Sequence, residues 1–163
     1  MKSLATPRVG KVFAAVAVCA SLGTGVAQAA TSFPLTATIS IQETVGGPSV
    51  VPPCFLLGTI VGTGRATHLG NVTLHAVDCI NPDTTGTVLS FTSDHVVLTA
   101  ANGDQVFATY SGAFQPAVGL ITGGFQIVGG TGRFTHATGA GSLEGVENAA
   151  HQGHIELTGT ISY

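Results

Sequence analysis

Three polar residues continue the rhythm of alternating apolar side chains. Glu43 follows Leu35, Ala37, Ile39 and Ile41 in phase, His68 precedes Val72 and Leu74, and Asp94 precedes Val96 and Leu98. Residues two apart in a strand share a face, so this phase aims Glu43, His68 and Asp94 to the apolar side, each near a strand end. A carboxyl group and an imidazole at the rim of an apolar cavity can perform general acid–base chemistry or orient the polar head of a ligand. Against this stands the ordinary polarity of strand ends that meet water. Glu43, His68 and Asp94 are therefore the candidate catalytic residues, and no ligand-binding residue is assigned.

Other motifs carry less. Gly130-Thr131-Gly132 has the spacing of a phosphate loop, but such a loop needs a helix directly after it whose N-terminus faces the anion. The residues after Phe134 read as strand, so Gly130, Gly132, Arg133 and Phe134 are read as a structural turn with Phe134 plugging the end of the fold. All six histidines lie beyond the first thirty residues. In a strand His151 and His154 would point to opposite faces, and His75 is out of phase with Val72 and Leu74. These read as solvated surface histidines, with no metal site and no cofactor expected. Ser111-Gly112 is not a nucleophile elbow, and no Ser, His and Asp set can be argued from chain order, which makes a hydrolase a weak reading.

The elements that must position these groups are strands. Thr36, Thr38, Ser40 and Gln42 alternate with the first apolar run, Asn71, Thr73 and His75 with the second, and His154, Glu156, Thr158 and Ser162 with Ile155, Leu157 and Ile161. That is the half-buried strand pattern. Turn residues punctuate it at Gly46-Gly47-Pro48 with Pro52-Pro53, Asn81-Pro82-Asp83, Asn102-Gly103-Asp104 and Gly129-Gly130-Thr131-Gly132. Asn102-Gly103 between two alternating runs predicts a hairpin with a type I′ turn. Eight or nine short strands at this spacing indicate an antiparallel barrel or sandwich. Exposed sheet edges are usually protected by charge, especially Lys, and closure removes the edges; with no lysine beyond Lys11, a closed barrel suits this chain better. Gly62-Thr63-Gly64-Arg65-Ala66-Thr67-His68 recurs as Gly130-Thr131-Gly132-Arg133-Phe134-Thr135-His136. Two duplicated half-barrels and coincidence in a Gly/Thr-rich chain are equally good accounts of that echo.

The chain has 163 residues, 44% hydrophobic and only 8% charged, with a formal net charge of −3. Of its five Lys and Arg residues, Lys2, Arg8 and Lys11 precede the apolar stretch Val12 to Val26, which ends in Ala27-Gln28-Ala29. This is the pattern of a secretory signal cut after Ala29, leaving residues 30–163 as a single domain, secreted or periplasmic. A membrane span needs about 20 apolar residues, and Ser21, Gly23, Thr24 and Gly25 dilute this stretch. Cys19 is preceded by Val18, larger than the residue that usually precedes a lipid-modified cysteine, so it is discarded with the signal. Arg65 and Arg133 then face eight acids. Lys and Arg contacts to phosphate dominate nucleic-acid affinity, so nucleic acid is excluded as a partner, and no membrane anchor survives cleavage. Cys54 and Cys79 form an even pair in an exported chain, read as a disulfide contributing about 3 kcal/mol.

The run Ala100-Ala101-Asn102-Gly103-Asp104, then Tyr110-Ser111-Gly112, then Phe125-Gln126-Ile127-Val128-Gly129-Gly130-Thr131-Gly132-Arg133-Phe134 with Ala137-Thr138-Gly139 resembles the allene oxide cyclase barrel and dirigent-like superfamily. It is most similar to the small exported bacterial members, which also tend to carry a segment like Thr67-His68-Leu69-Gly70. The resemblance implies an all-β, eight-stranded antiparallel barrel (allene oxide cyclase/calycin-like) with an apolar interior. Plant relatives close or steer reactive intermediates without a cofactor, but their catalytic carboxylates, arginines and proline have no residue-by-residue counterparts here. The expectation is an exported barrel that binds a small hydrophobic ligand in its lumen or serves a non-catalytic interaction role. The alternative is a cofactor-independent cyclase or isomerase acting on a hydrophobic intermediate.

The intact mass of the exported protein checks the first of these expectations: it should begin at Ala30 and lack two hydrogens for the Cys54–Cys79 bond. A chain retaining residues 1–29 would refute the signal.

Overall fold

β-Branched residues and threonine at a period of two favour extended backbone, because their side chains are restricted at χ1 and pack well on a pleated surface. The computed structural model describes residues 31–48 and 54–163. The export signal read over residues 1–29, with Cys19, and the Pro52-Pro53 pair lie outside the described residues. The strands are β1 (Ser32–Pro48), β2 (Leu56–Ala66), β3 (Gly70–Pro82), β4 (Leu89–Ala100), β5 (Gln105–Gln115), β6 (Leu120–Gly130), β7 (Thr138–Glu147) and β8 (Gln152–Ser162). Each pairs antiparallel with the next, and β8 pairs with β1, closing an eight-stranded up-and-down barrel.

Leu35, Ala37, Ile39 and Ile41 of β1 face in, as do Val72, Leu74 and Ala76 of β3, Val106 and Ala108 of β5, and Ile155, Leu157 and Ile161 of β8. The intervening Thr, Ser, Asn and Gln side chains face out. This is the reverse of a lipid-facing barrel, whose apolar residues point outward. Burying the apolar set is the main favourable term in folding.

One end of the barrel is closed. Gly132–Phe134 form a single 3-10 turn after Gly130 ends β6, and Phe134 is completely buried, its ring centroid 5.0 Å from that of Tyr163. The Arg133 guanidinium carbon lies 4.7 Å from the Phe134 ring centre, one of its nitrogens donates to the His68 carbonyl, and Nε is 4.0 Å from the Asp104 carboxylate. Arg65, by contrast, is exposed on β2, paired across the ladder with Asn71. The two Gly-Thr-Gly-Arg segments thus differ in conformation, one extended and one helical, and the sequence echo is not a structural repeat there.

The structure departs from the sequence reading elsewhere too. The hairpin at Asn102-Gly103 forms, but positive φ is confined to Gly103 (89°), and the Gly103 amide donates to the Ala100 carbonyl. It is therefore a type I turn ending in a left-handed glycine rather than type I′. Gly46-Gly47-Pro48 is the irregular end of β1, with Pro48 opposite Leu56 after a register shift. Cys54 and Cys79 form the expected disulfide, with Cα atoms 5.0 Å apart, fastening the approach to β2 onto β3.

Phe134→Ala should cost about 3–5 kcal/mol in urea unfolding, the range for a buried aromatic truncation. Arg133→Ala should cost about 1 kcal/mol and Arg65→Ala less than about 0.5 kcal/mol. Equal effects of the two arginine substitutions would contradict the structural difference between them.

Candidate functional site

Toward the open end, the inward positions of alternate strands become polar. Glu43 on β1, Asp78 on β3, Tyr110 on β5 and Glu147 on β7 continue the phase of Ile41, Ala76, Ala108 and Leu143 on their strands, and all four line one cavity of about 200 Å³. Apart from His151, its remaining wall is hydrocarbon, including Ile60, Leu74, Phe91, Phe114, Ile121 and Ile155. Below it the lumen is filled by side chains, leaving an apolar gap of about 30 Å³ between residues such as Ile39, Val96, Phe125 and Leu157. Eight strands enclose an interior that side chains can fill or that holds one small ligand; here the lower half does the first and the upper half leaves room for the second.

Glu43 sits where Gly58 on the neighbouring strand β2 has no side chain. A Cβ at Gly58 would collide with the Glu43 carboxyl group and press on Ile80, so the glycine reserves the space that the acid occupies. The Glu43 side chain is 11% exposed and that of Glu147 4%. Carboxyl oxygens of the two lie within 4.8 Å of one another. Burial, with the neighbouring charges of Glu147 and Asp78, pushes the Glu43 carboxyl up to about 7 from an ordinary 4.5, against the opposing pull of His151. His151 belongs to the tight turn between β7 and β8, at φ 58°. Its Nδ1 is 2.9 Å from Glu147 Oε1 and 4.0 Å from Glu43 Oε2, and its carbonyl accepts the Glu43 amide at 2.9 Å and the Gln42 side-chain amide at 3.0 Å. The turn is thereby tied to β1.

Across the cavity Tyr110 donates a hydrogen bond to Asp78 Oδ1, and its ring meets Phe91 edge-on at 5.6 Å. Burial raises the Asp78 carboxyl to about 6, although the Tyr110 hydrogen bond opposes the shift. Burial and the adjacent Asp78 charge also raise the Tyr110 phenol, which stays protonated. Ser93 completes this side, with its hydroxyl donating to the Val77 carbonyl at 2.7 Å.

Of the three sequence candidates, Glu43 is in the cavity and the other two are not. A β-bulge in β4 places both Asp94 and His95 outward between inward Ser93 and Val96, because a bulge inserts one residue and resets the alternation. Asp94 therefore lies on the outer wall near Thr92 and Thr109. His68 is in the β2–β3 turn at the closed end, with φ 65°, its Nε2 3.2 Å from the Pro34 carbonyl and its ring against Phe33 and Tyr163. Counting back from Val72 crosses that turn, where period-two phase no longer holds. Asp78 and Tyr110 are legible as continuations of the Val72/Leu74/Ala76 and Val106/Ala108 runs, and Glu147 as a continuation from Leu143. His151, set by a turn rather than by a strand, has no such signal.

Glu43, Glu147 and His151 offer donor atoms within 4.8 Å of one another, the one such group among the described residues. Two carboxylates and an imidazole are a donor set a divalent ion can use. The same groups can hold and move a proton, since one acid here is poised near neutrality in a mostly apolar site.

A carboxyl raised in the folded state favours folding while it is protonated. Its contribution is complete below the ordinary value of 4.5 and is lost as pH rises through about 7. Thermal unfolding at about pH 5 and about pH 8 should show the parent protein losing stability over that interval and Glu43→Gln losing distinctly less. Identical losses would show that Glu43 is not the group responsible.

No protein-family model and no curated protein sequence matches the chain. Among solved structures it is similar to a pterocarpan synthase dirigent protein, with a TM-score of 0.50 and 11% identity over 82% of this chain and 86% of that one. At that identity the likeness is one of fold, that of a dirigent-like barrel.

Proposed function

We propose that this chain is an exported barrel that binds a small, largely apolar molecule in the upper half of its lumen. The supporting observation is the cavity of about 200 Å³, open at one end and hydrocarbon over most of its wall. An apolar body would displace little well-held water there, while the few convergent polar groups would fix its orientation, the usual division of labour in a small-molecule site. Export rests on the N-terminal signal pattern and accords with the disulfide. The similar dirigent protein, named as a pterocarpan synthase, is a precedent for small-molecule chemistry at the level of fold.

A second reading, cofactor-independent isomerisation or cyclisation, is favoured by one observation: the Glu43 and Glu147 carboxyl groups lie within 4.8 Å of one another at the cavity wall, where burial pushes Glu43 up to about 7. Such a pair can protonate an oxygen of the bound molecule and take a proton back from it without a net change in the protein. Allene oxide cyclase-like or dirigent-like reactions belong to this class.

Native mass spectrometry of the exported protein, with chromatography of whatever it releases, tests both readings. Bound ligand that Ile60→Trp abolishes without unfolding the barrel supports the cavity as its site. Recovery of the ligand with unchanged mass and unchanged retention supports binding; unchanged mass with altered retention after incubation supports isomerisation. Retention of apolar ligands by Ile60→Trp at the parent's affinity would contradict both.

A further inference from the structure

The arginines and the buried acids of the barrel lie at opposite ends. Arg65 and Arg133, the two arginines among the described residues, lie at or near the closed end, where Arg133 is occupied by the His68 carbonyl and Asp104. The open end carries Glu43 from β1, Asp78 from β3 and Glu147 from β7, with Tyr110 from β5 as a neutral donor. Among the described residues that line the cavity, the one basic group is His151, half-exposed on the β7–β8 turn. Strands β2, β4, β6 and β8 contribute no titratable side chain to this cavity, and Ser93 on β4 is spent on the Val77 carbonyl.

Three acids on the wall of a mostly hydrocarbon cavity are poorly matched to a fatty acid, whose carboxylate would add a further like charge. A neutral alcohol or ketone would do nothing to relieve the repulsion between the Glu43 and Glu147 carboxyl groups, which lie within 4.8 Å of one another. A cation changes the balance. An ammonium group has three donors, enough to bridge two carboxylates, and its charge permits both to ionise; Phe91, Tyr110 and Phe114 supply aromatic faces that also attract cations.

We propose, resting on the ligand-binding reading above, that the cavity selects a cationic amphiphile: a primary or secondary amine on a compact hydrocarbon or aromatic body, its ammonium held between Glu43 and Glu147. The amine arrives already protonated at neutral pH, so a proton held by Glu43, whose carboxyl burial pushes up to about 7, leaves to solvent when it binds. Binding is therefore coupled to proton release, and affinity rises with pH as Glu43 ionises more readily.

The test is calorimetric titration of the exported, disulfide-bonded protein with phenylbutylamine, phenylbutanol and phenylbutyric acid, three probes with one body and different heads. Hydrogen bonds to charged groups are worth enough to predict that the amine binds at least about tenfold more tightly than the alcohol near pH 8, with the acid weakest. Near pH 6 the amine's affinity falls, and comparing buffers of different ionisation heat shows protons released on binding; the alcohol shows neither effect. Glu43→Gln and Glu147→Gln should each erase most of the amine's advantage over the alcohol. Alcohol binding equal to or tighter than amine binding, or tightest binding by the acid, overturns the inference and leaves the ligand-binding reading standing. Binding of none of the three overturns both. A manganese or zinc ion that binds more tightly than the amine and is not displaced by it would assign the three donors to a metal and overturn the inference as well.

Discussion

Closure of β8 onto β1 is the constraint on which the rest of the molecule depends. Once all eight strands are paired on both sides, no edge is left for an unpaired backbone, and a chain without lysine beyond its first residues has little else to protect one. Closure also locks the phase of every strand. A slip of one residue would turn a whole apolar set out to water and its polar neighbours in, so a polar residue at an inward position cannot be relieved by local adjustment. Glu43, Asp78 and Glu147 are held inside by the same ladder that buries Ile41, Ala76 and Leu143, and the cost of burying them is expressed in the raised carboxyl pKa values of Glu43 and Asp78.

The two ends of the barrel put this constraint to different uses. At the closed end, Phe134 fills the lumen and Arg133 packs over it, bonding to the β2–β3 turn, so aromatic and cationic groups act as a plug. At the other end Gly58 withholds a side chain to admit a carboxyl group, and the disulfide at Cys79 staples β3 immediately beside Asp78. The β7–β8 turn brings His151 over the acids and is anchored to β1 through the Glu43 amide. Backbone hydrogen bonding thus ties the polar cluster into the same network that closes the sheet.

Much of this is legible in the sequence wherever strand periodicity runs uninterrupted. Alternation locates the strands and the core, the cysteine pair its disulfide, and Glu43 its inward position. It fails where the backbone departs from the ideal pleat. A bulge between Ser93 and Val96 moves Asp94 to the outside and Ser93 to the inside, and nothing in the residues Ser93-Asp94-His95 marks an insertion. The inward expectation for His68 carries a phase through a turn, where phase has no meaning. Asp78 is available to the same reasoning that finds Glu43, by going one step beyond Ala76. His151 depends on a left-handed turn residue and on contacts between strands distant in sequence, so only the folded chain brings it to Glu43 and Glu147.

The open end of the barrel is thus a set of buried acids within a mostly apolar cavity, rather than a fringe of solvated strand ends. Carbon-13 NMR titration of the aspartate and glutamate carboxyl groups measures this directly. Glu43 should titrate at about 7 and Asp78 at about 6, both above the ordinary carboxylate range. Titration of both near 4, as for ordinary exposed carboxyls, would contradict a buried cluster of acids.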